Sequence, residues 1–151
     1  MLTHHITNRK KMRRFIIAHH QEVTNDRLSY LIIKIAFDVQ NRLGPNMKEH
    51  TYREALCFGL NKAGLKAESE VEVPVTYRGK KFGARYIDLL VEDEVVVELK
   101  AVKQLTDRHF HQLGTNTKLL EKQRGLLLNF GEARVKIRRF ANSRGPDSLI
   151  R

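Results

Sequence analysis

The chain has no tryptophan, one cysteine, three prolines and no apolar run longer than a few residues. Runs such as Val95-Val96-Val97 and Leu126-Leu127-Leu128 fall far short of the about 20 apolar residues of a membrane-spanning helix. A transmembrane protein is excluded on that ground. A single thiol, Cys57, cannot form an internal disulfide, so a reducing compartment, the cytoplasm, is expected. Cys57 reads as helix packing, because a catalytic cysteine needs a base placed beside it. The apolar piece Phe15-Ile16-Ile17-Ala18 is too short for a secretory signal, and no serine precedes Ser29, which argues against a transit peptide.

Acidic residues are scarce at both ends. The 151 residues carry a net charge of +11, with 41% hydrophobic and 30% charged side chains. That is one domain with enough apolar content for a core and no need of a disulfide or metal staple. Residues 1–27 hold six basic and two acidic groups, and residues 100–151 twelve and four, so the stretch between is slightly acidic. The excess of positive charge favours a polyanionic partner, of which nucleic acid is the commonest. An acidic middle between basic ends fits a metal-binding centre inside a phosphate-binding surface, and it fits a plain solvated basic surface equally well. Residues 1–27, with Arg9-Lys10-Lys11-Met12-Arg13-Arg14, read as a basic arm or an extension upstream of a start at Met12. No carboxylate or cysteine stands at ligand spacing from the pairs His4-His5 and His19-His20.

Leu28, Leu31, Ile32, Ile35, Ala36, Val39 and Leu43 recur at three- and four-residue steps, which predicts an amphipathic helix stopped by Gly44-Pro45. A second helix is expected from about Lys48 to Ala63, closed by Gly64, with Tyr52, Leu56, Leu60 and Ala63 inward. Val71, Val73, Val75 and Tyr77 alternate with Glu70, Glu72, Pro74 and Thr76, a half-buried strand that Pro74 assigns to a sheet edge. After a turn at Arg78-Gly79-Lys80, Phe82 to Val91 and Val95 to Ala101 form a tight hairpin. Thr106 caps a third helix, about Asp107 to Lys122, with Phe110, Leu113, Thr117 and Leu120 inward. Gly125 to Phe130 is a buried strand. A last strand alternates Val135 and Ile137 with Arg134, Lys136 and Arg138, giving it one basic face. The order helix-helix-strand-strand-strand-helix-strand-strand predicts an α/β domain built on one mixed central sheet flanked by helices, over residues 28–141, followed by a loose tail at 142–151.

Three charged residues stand where strands should be buried: Asp88, Glu98 and Lys100. The tripeptide E-x-K is weak by itself, since a chain of this composition contains it about once by chance. Its setting is stronger, because burying a charge costs several kcal/mol unless the charge is paired or binds a metal. Alternation puts Glu98 and Lys100 on one face. A two-residue loop at Glu92-Asp93 would send Asp88 to the other face, whereas a three-residue loop pairs Val91 with Val95 and sets Asp88 opposite Glu98. Two carboxylates and a lysine meeting at a sheet edge suit metal-assisted phosphodiester hydrolysis. The carboxylates hold Mg²⁺ with several waters, one of which attacks phosphorus, and the lysine orients that water and offsets growing charge. The alternatives are an ordinary Glu98–Lys100 salt bridge, or strand ends already in solvent.

Ordered segments carry a resemblance. They are Leu43-Gly44-Pro45, Glu49-His50-Thr51-Tyr52-Arg53-Glu54-Ala55-Leu56, Ile87-Asp88-Leu89-Leu90-Val91, Val95-Val96-Val97-Glu98-Leu99-Lys100-Ala101-Val102, His111-Gln112-Leu113 and Gly125-Leu126-Leu127-Leu128-Asn129-Phe130-Gly131. Through them the chain, from about Leu28 to Phe140, resembles the GxxExxY family of small prokaryotic proteins within the PD-(D/E)XK nuclease superfamily. The resemblance implies a restriction-endonuclease-like core and a divalent-metal-dependent nuclease, using Mg²⁺ or Mn²⁺ and acting on DNA. It implies Asp88, Glu98 and Glu49 as metal ligands, and Glu49, Asp88, Glu98, Lys100 and Gln112 as the catalytic set. Tyr52, one helical turn after Glu49, and the basic Arg134, Lys136 and Arg138 are candidate nucleic-acid contacts. Two positions depart from the family pattern: Asn46 replaces the naming glycine, and Asn116 stands where relatives often carry an aromatic. Expected partners are nucleic acid and a second copy of the chain, with no membrane. A non-catalytic nucleic-acid-binding module of the same fold is the competing expectation.

Overall fold

The computed structural model describes residues 26–142. The basic arm, but for its last two residues, and the tail beyond Asn142 lie outside the described residues. Helix α1 spans Asp26–Leu43 and ends as expected at Gly44, whose φ of 78° lets its N–H return to the carbonyl of Gln40 at 2.9 Å. Helix α2 spans Glu49–Lys62 and closes through left-handed Gly64 (φ 90°). Strands β1 (Ala67–Tyr77), β2 (Lys80–Val91) and β3 (Val95–Lys100) follow, then α3 (Asp107–Leu119), β4 (Arg124–Asn129) and β5 (Lys136–Ala141). Helix α3 is shorter than the apolar periodicity predicts. Glu121 takes φ 57°, and the N–H groups of Glu121 and Lys122 return to the carbonyls of Lys118 and Thr117, which stops the helix without a glycine.

The sheet runs β1-β2-β3-β4-β5, antiparallel throughout except for the parallel pair β3–β4, which α3 connects. It is a mixed sheet with helices on both faces, and β1 with its Pro74 is an edge strand. One core joins α1 and α2 to the sheet through Ile32, Leu56, Leu60, Leu89, Val91, Val97, Leu99 and Leu128. The other lies under α3 and joins Leu113 to Val73, Ile87, Leu90, Val96 and Leu127. Leu89 belongs to the first core and Ile87 to the second, so β2 turns over between them, at Asp88. Among the described residues no helix is long and apolar enough to cross a membrane.

The alternation read in β1 holds only to Val73. Val75 and Tyr77 are exposed, as are Lys80 to Gly83, Arg85 and Tyr86 on β2, because this hairpin runs past the helices that would cover it.

Tyr52 ties the loop before α2 to the body. Its ring is buried and stacks on Phe130 with centroids 4.6 Å apart. Its hydroxyl donates to the Gly44 carbonyl at 2.6 Å and accepts from Met47 N–H at 3.3 Å. The loop between is held with Asn46 at φ 66°, a conformation asparagine tolerates better than other non-glycine residues. Tyr52→Phe keeps the ring and strands two backbone partners, so it should lower the unfolding free energy by about 1–3 kcal/mol in urea titration. An unchanged midpoint would mean that the hydroxyl does not hold this loop.

Candidate active site

The β2–β3 turn has three residues, and Val91 pairs with Val95. Glu92 and Asp93 are both left-handed (φ 53° and 55°), and Glu94 N–H donates to Val91 C=O at 3.0 Å, so Glu94 is an extra residue beyond a tight two-residue turn. The odd count brings Asp88 beside Glu98. The β2–β3 ladder ends one step short of them, at Leu89 with Val97. Beyond that point Leu99 N–H donates to Asp88 Oδ2 at 2.8 Å, in place of a strand carbonyl. The strands fork there, and the fork opens a cleft.

Glu49, Asp88, Glu98 and Lys100 all line this cleft, as does Gln112. Glu98 receives a hydrogen bond from Asn116 Nδ2 at 3.1 Å. Burial, and then the repulsion of Asp88 beside it, push the Glu98 carboxyl up to about 8. Burial and Asp88 also raise Glu49, partly offset by Lys100 and Arg53. Glu49 starts α2, where the loop clamped by Tyr52 delivers it. Lys100 is fixed by the end of its strand. Buried Asn129 Oδ1 accepts from Val102 N–H and Gly131 N–H, and its Nδ2 donates to Val102 C=O and Glu132 Oε2. Gly131 passes so close that an added Cβ would lie 2.2 Å from the Val102 carbonyl oxygen.

Sequence reasoning missed six lining or supporting groups, two of them Arg85 and Tyr86 of β2. Arg108, His111 and Thr115 share the cleft with Gln112 and Asn116, at helical steps of three and four that mark one stripe of α3. That stripe was legible in the spacing. Arg53 was legible too, one turn beyond Glu49. Its Nη1 lies 3.6 Å from Asp88 Oδ1, and its Nη2 donates to Glu70 Oε1 at 3.1 Å. His109 turns away to the capping box, where its Nδ1 accepts from Thr106 N–H at 3.1 Å. Burial, then Lys100 and Arg108, lower its pKa.

The candidate nucleic-acid contacts fare differently. Tyr52 is a correction: its ring is 1% exposed and its hydroxyl is engaged with Gly44 and Met47, so no surface remains to meet nucleic acid. The single basic face is a second correction. Arg134 precedes β5 and lies over Phe37 of α1 at 5.6 Å, whereas Arg138 lies over Phe110 of α3 at 4.1 Å and reaches Asp107 Oδ1 at 3.4 Å. The two arginines therefore flank opposite helices of the sandwich. Lys136 is exposed on the edge strand.

A fork in a mixed sheet, with an Asp and an E-x-K pair meeting across it, is the frame of a restriction-endonuclease-like fold. The family model of the PD-(D/E)XK nuclease superfamily matches residues 26–140, and the chain belongs to that superfamily. The solved structure of SSO0001 is similar in fold alone, at 18% identity and a TM-score of 0.50. The match covers 68% of this chain and 52% of that one, so this chain spans about half its length. No curated protein matches the sequence significantly.

The donors present suit a hard divalent cation. Asp88 and Glu98 offer carboxylate oxygens whose mutual repulsion a cation would relieve, and the buried Asn116 Oδ1 has no hydrogen-bond partner among the described residues. Glu49 lines the cleft, but among the described residues no three His, Cys, Asp or Glu side chains close on one point. Mg²⁺ accepts such a site, since it is commonly held by one or two carboxylates and keeps its waters. A raised carboxyl pKa makes the native state bind its proton more tightly than the unfolded chain, so stability falls as pH rises from about 4.5 to about 8. Glu98→Gln removes that titration. In chelator, the melting temperature of the variant relative to wild type should climb across that window and level off above it. A gap that stays constant with pH would show that Glu98 is not held protonated.

Proposed function

We propose that this chain is a divalent-metal-dependent nuclease acting on DNA, of the GxxExxY type. The observation that carries the reading is the pair Asp88 and Glu98, two carboxylates forced together beside Lys100 in an open cleft walled by Arg85 and Arg108. A structural ion pair has no use for the second carboxylate, and a passive phosphate-binding surface has no use for either.

Asp88 and Glu98 would hold Mg²⁺ or Mn²⁺, which when bound supplies positive charge to the scissile phosphate. Asn116 fixes Glu98 in its rotamer through Nδ2, and Arg53 and Leu99 N–H fix Asp88. Lys100 presents its ammonium to the attacking water and to the phosphate oxygens, where it orients one and offsets charge growing on the other. Glu49, which lines the same cleft, takes the proton that the attacking water gives up. Gln112 and Arg108, one helical turn apart on α3, hold phosphate oxygens by hydrogen bond and by charge.

Incubation with linear, circular and single-stranded DNA and with RNA, each with Mg²⁺, Mn²⁺ or chelator, tests the activity. Cleavage that needs metal and is lost in Asp88→Asn is expected, whereas metal-independent binding without cleavage would make the chain a non-catalytic module. Melting curves supply a second readout. Above about pH 8, where Glu98 is also ionised, Asp88→Asn should leave the protein in chelator about as stable as wild type, because the repulsion relieved offsets the ion pair lost to Arg53. It should also erase the stabilisation that Mg²⁺ gives wild type by mass action. A structural pair behaves oppositely, with a loss of about 3–5 kcal/mol and no response to metal.

A further inference from the structure

The β1–β2 hairpin projects beyond the sandwich, and it does so next to the cleft. Residues 74–86 contain Arg78, Lys80, Lys81 and Arg85, three aromatic residues and no acidic group. Val75, Tyr77, Phe82 and Tyr86 are 39, 67, 64 and 63% exposed, four of the eight exposed large hydrophobic side chains among the described residues. Register sorts the faces. Val73 packs into the core under α3 and pairs with Arg85, while Val75 pairs with Gly83 and Tyr77 with Lys80. Paired residues share a face and the side-chain period is two, so Val75, Tyr77, Lys80 and Arg85 all lie on the α3 side, the side of Glu98 and Lys100. Phe82 joins them, since Lys80 Nζ lies 5.2 Å from its ring centroid. Arg85 and Tyr86 belong at once to the arm and to the cleft lining.

We propose that this arm is a stacking platform for unpaired bases, and that it leads a single-stranded segment of nucleic acid into the cleft. The inference rests on the nuclease reading of the site and adds a preference within its substrate class. Exposed rings on a β surface offer π-faces to bases of any sequence, and the cations beside them hold the intervening phosphates. A duplex keeps its bases stacked on each other and cannot use Tyr77 and Phe82 in this way. A second copy of the chain fits the arm poorly. Two arms carrying four cations and no acid repel, and the open edge of β1 is blunted by Pro74, Glu68, Glu70 and Glu72. Lys81, on the other face, is already tied to Glu72, which leaves the α3-side face as the one whose cations are set among aromatic rings.

Fluorescence anisotropy of the full chain in chelator measures this without any cleavage. The probes are a labelled oligothymidylate and the same strand in a blunt duplex with oligoadenylate. Tyr77→Ala combined with Phe82→Ala removes two exposed rings and should not disturb the core. The double variant should bind the single strand about ten- to a hundredfold more weakly, with the duplex little changed. Lys80→Ala should weaken both probes and flatten the salt dependence. Equal losses on both probes, or none, would overturn the platform. So would a wild-type dimer in sedimentation that the double variant dissociates with DNA affinity unchanged, since the arm would then be a self-association face. A chain that discriminates the probes through these rings but never cleaves would keep the platform and refute the nuclease reading. The reverse result would do the opposite.

Discussion

Glu94 is an extra residue in a turn that two residues could have closed, and the geometry of the cleft follows from it. Because side chains alternate along a strand, one residue more or less in the turn carries every following side chain to the other face of the sheet. With the extra residue, Asp88 and Glu98 stand together while Leu89, Val91, Val95 and Val97 still face one core. The turn is made by two left-handed non-glycine residues, a conformation that costs free energy. The meeting of two half-buried carboxylates adds to that cost. Both costs are borne by a sandwich whose cores lie on either side of the same two strands.

The carboxylates would relax that repulsion by moving apart if the strand ends were loose. They are not. Asn129 ties the end of β3 to the segment after β4 through four hydrogen bonds, and Gly131 allows a backbone approach that no side chain would permit. On the opposite side, Tyr52 stacks on Phe130, next to Asn129, while its hydroxyl holds the loop that delivers Glu49. Asn129 and Phe130 are adjacent, so one short stretch of chain fixes both Lys100 and Glu49. The repulsion is thereby retained in the fold, where a cation can relieve it.

Most of the architecture was legible because it rests on periodicity. The helical face of Leu28 to Leu43, the edge position signalled by Pro74 and the parity of the turn each follow from local sequence and survive in the structure. What was illegible depends on which surfaces meet. Alternation along β1 shows that one face is apolar; it does not show whether a helix covers that face, and beyond Val73 none of the described helices does. Arg134, Lys136 and Arg138 alternate as a basic face should, yet the strand begins only at Lys136, so Arg134 is free of its parity and settles against α1. The inward position of Tyr52 was legible in the helical spacing. That its hydroxyl is spent on Gly44 and Met47 and its ring on Phe130, leaving nothing for nucleic acid, was not.

The distribution of charge gains a meaning from this geometry. A net charge of +11 would attract a polyanion anywhere on the surface, but it would not orient one. Once all three carboxylates of the cleft are ionised they face Arg85, Lys100 and Arg108, so the local balance is near neutral and a phosphate there meets as much repulsion as attraction. In the proposed nuclease a divalent cation between Asp88 and Glu98 would reverse that balance at one point, and only there would the surrounding cations act together with it. On that reading the basic surface would gather the chain of phosphates, and the acidic pair would select which phosphate is held.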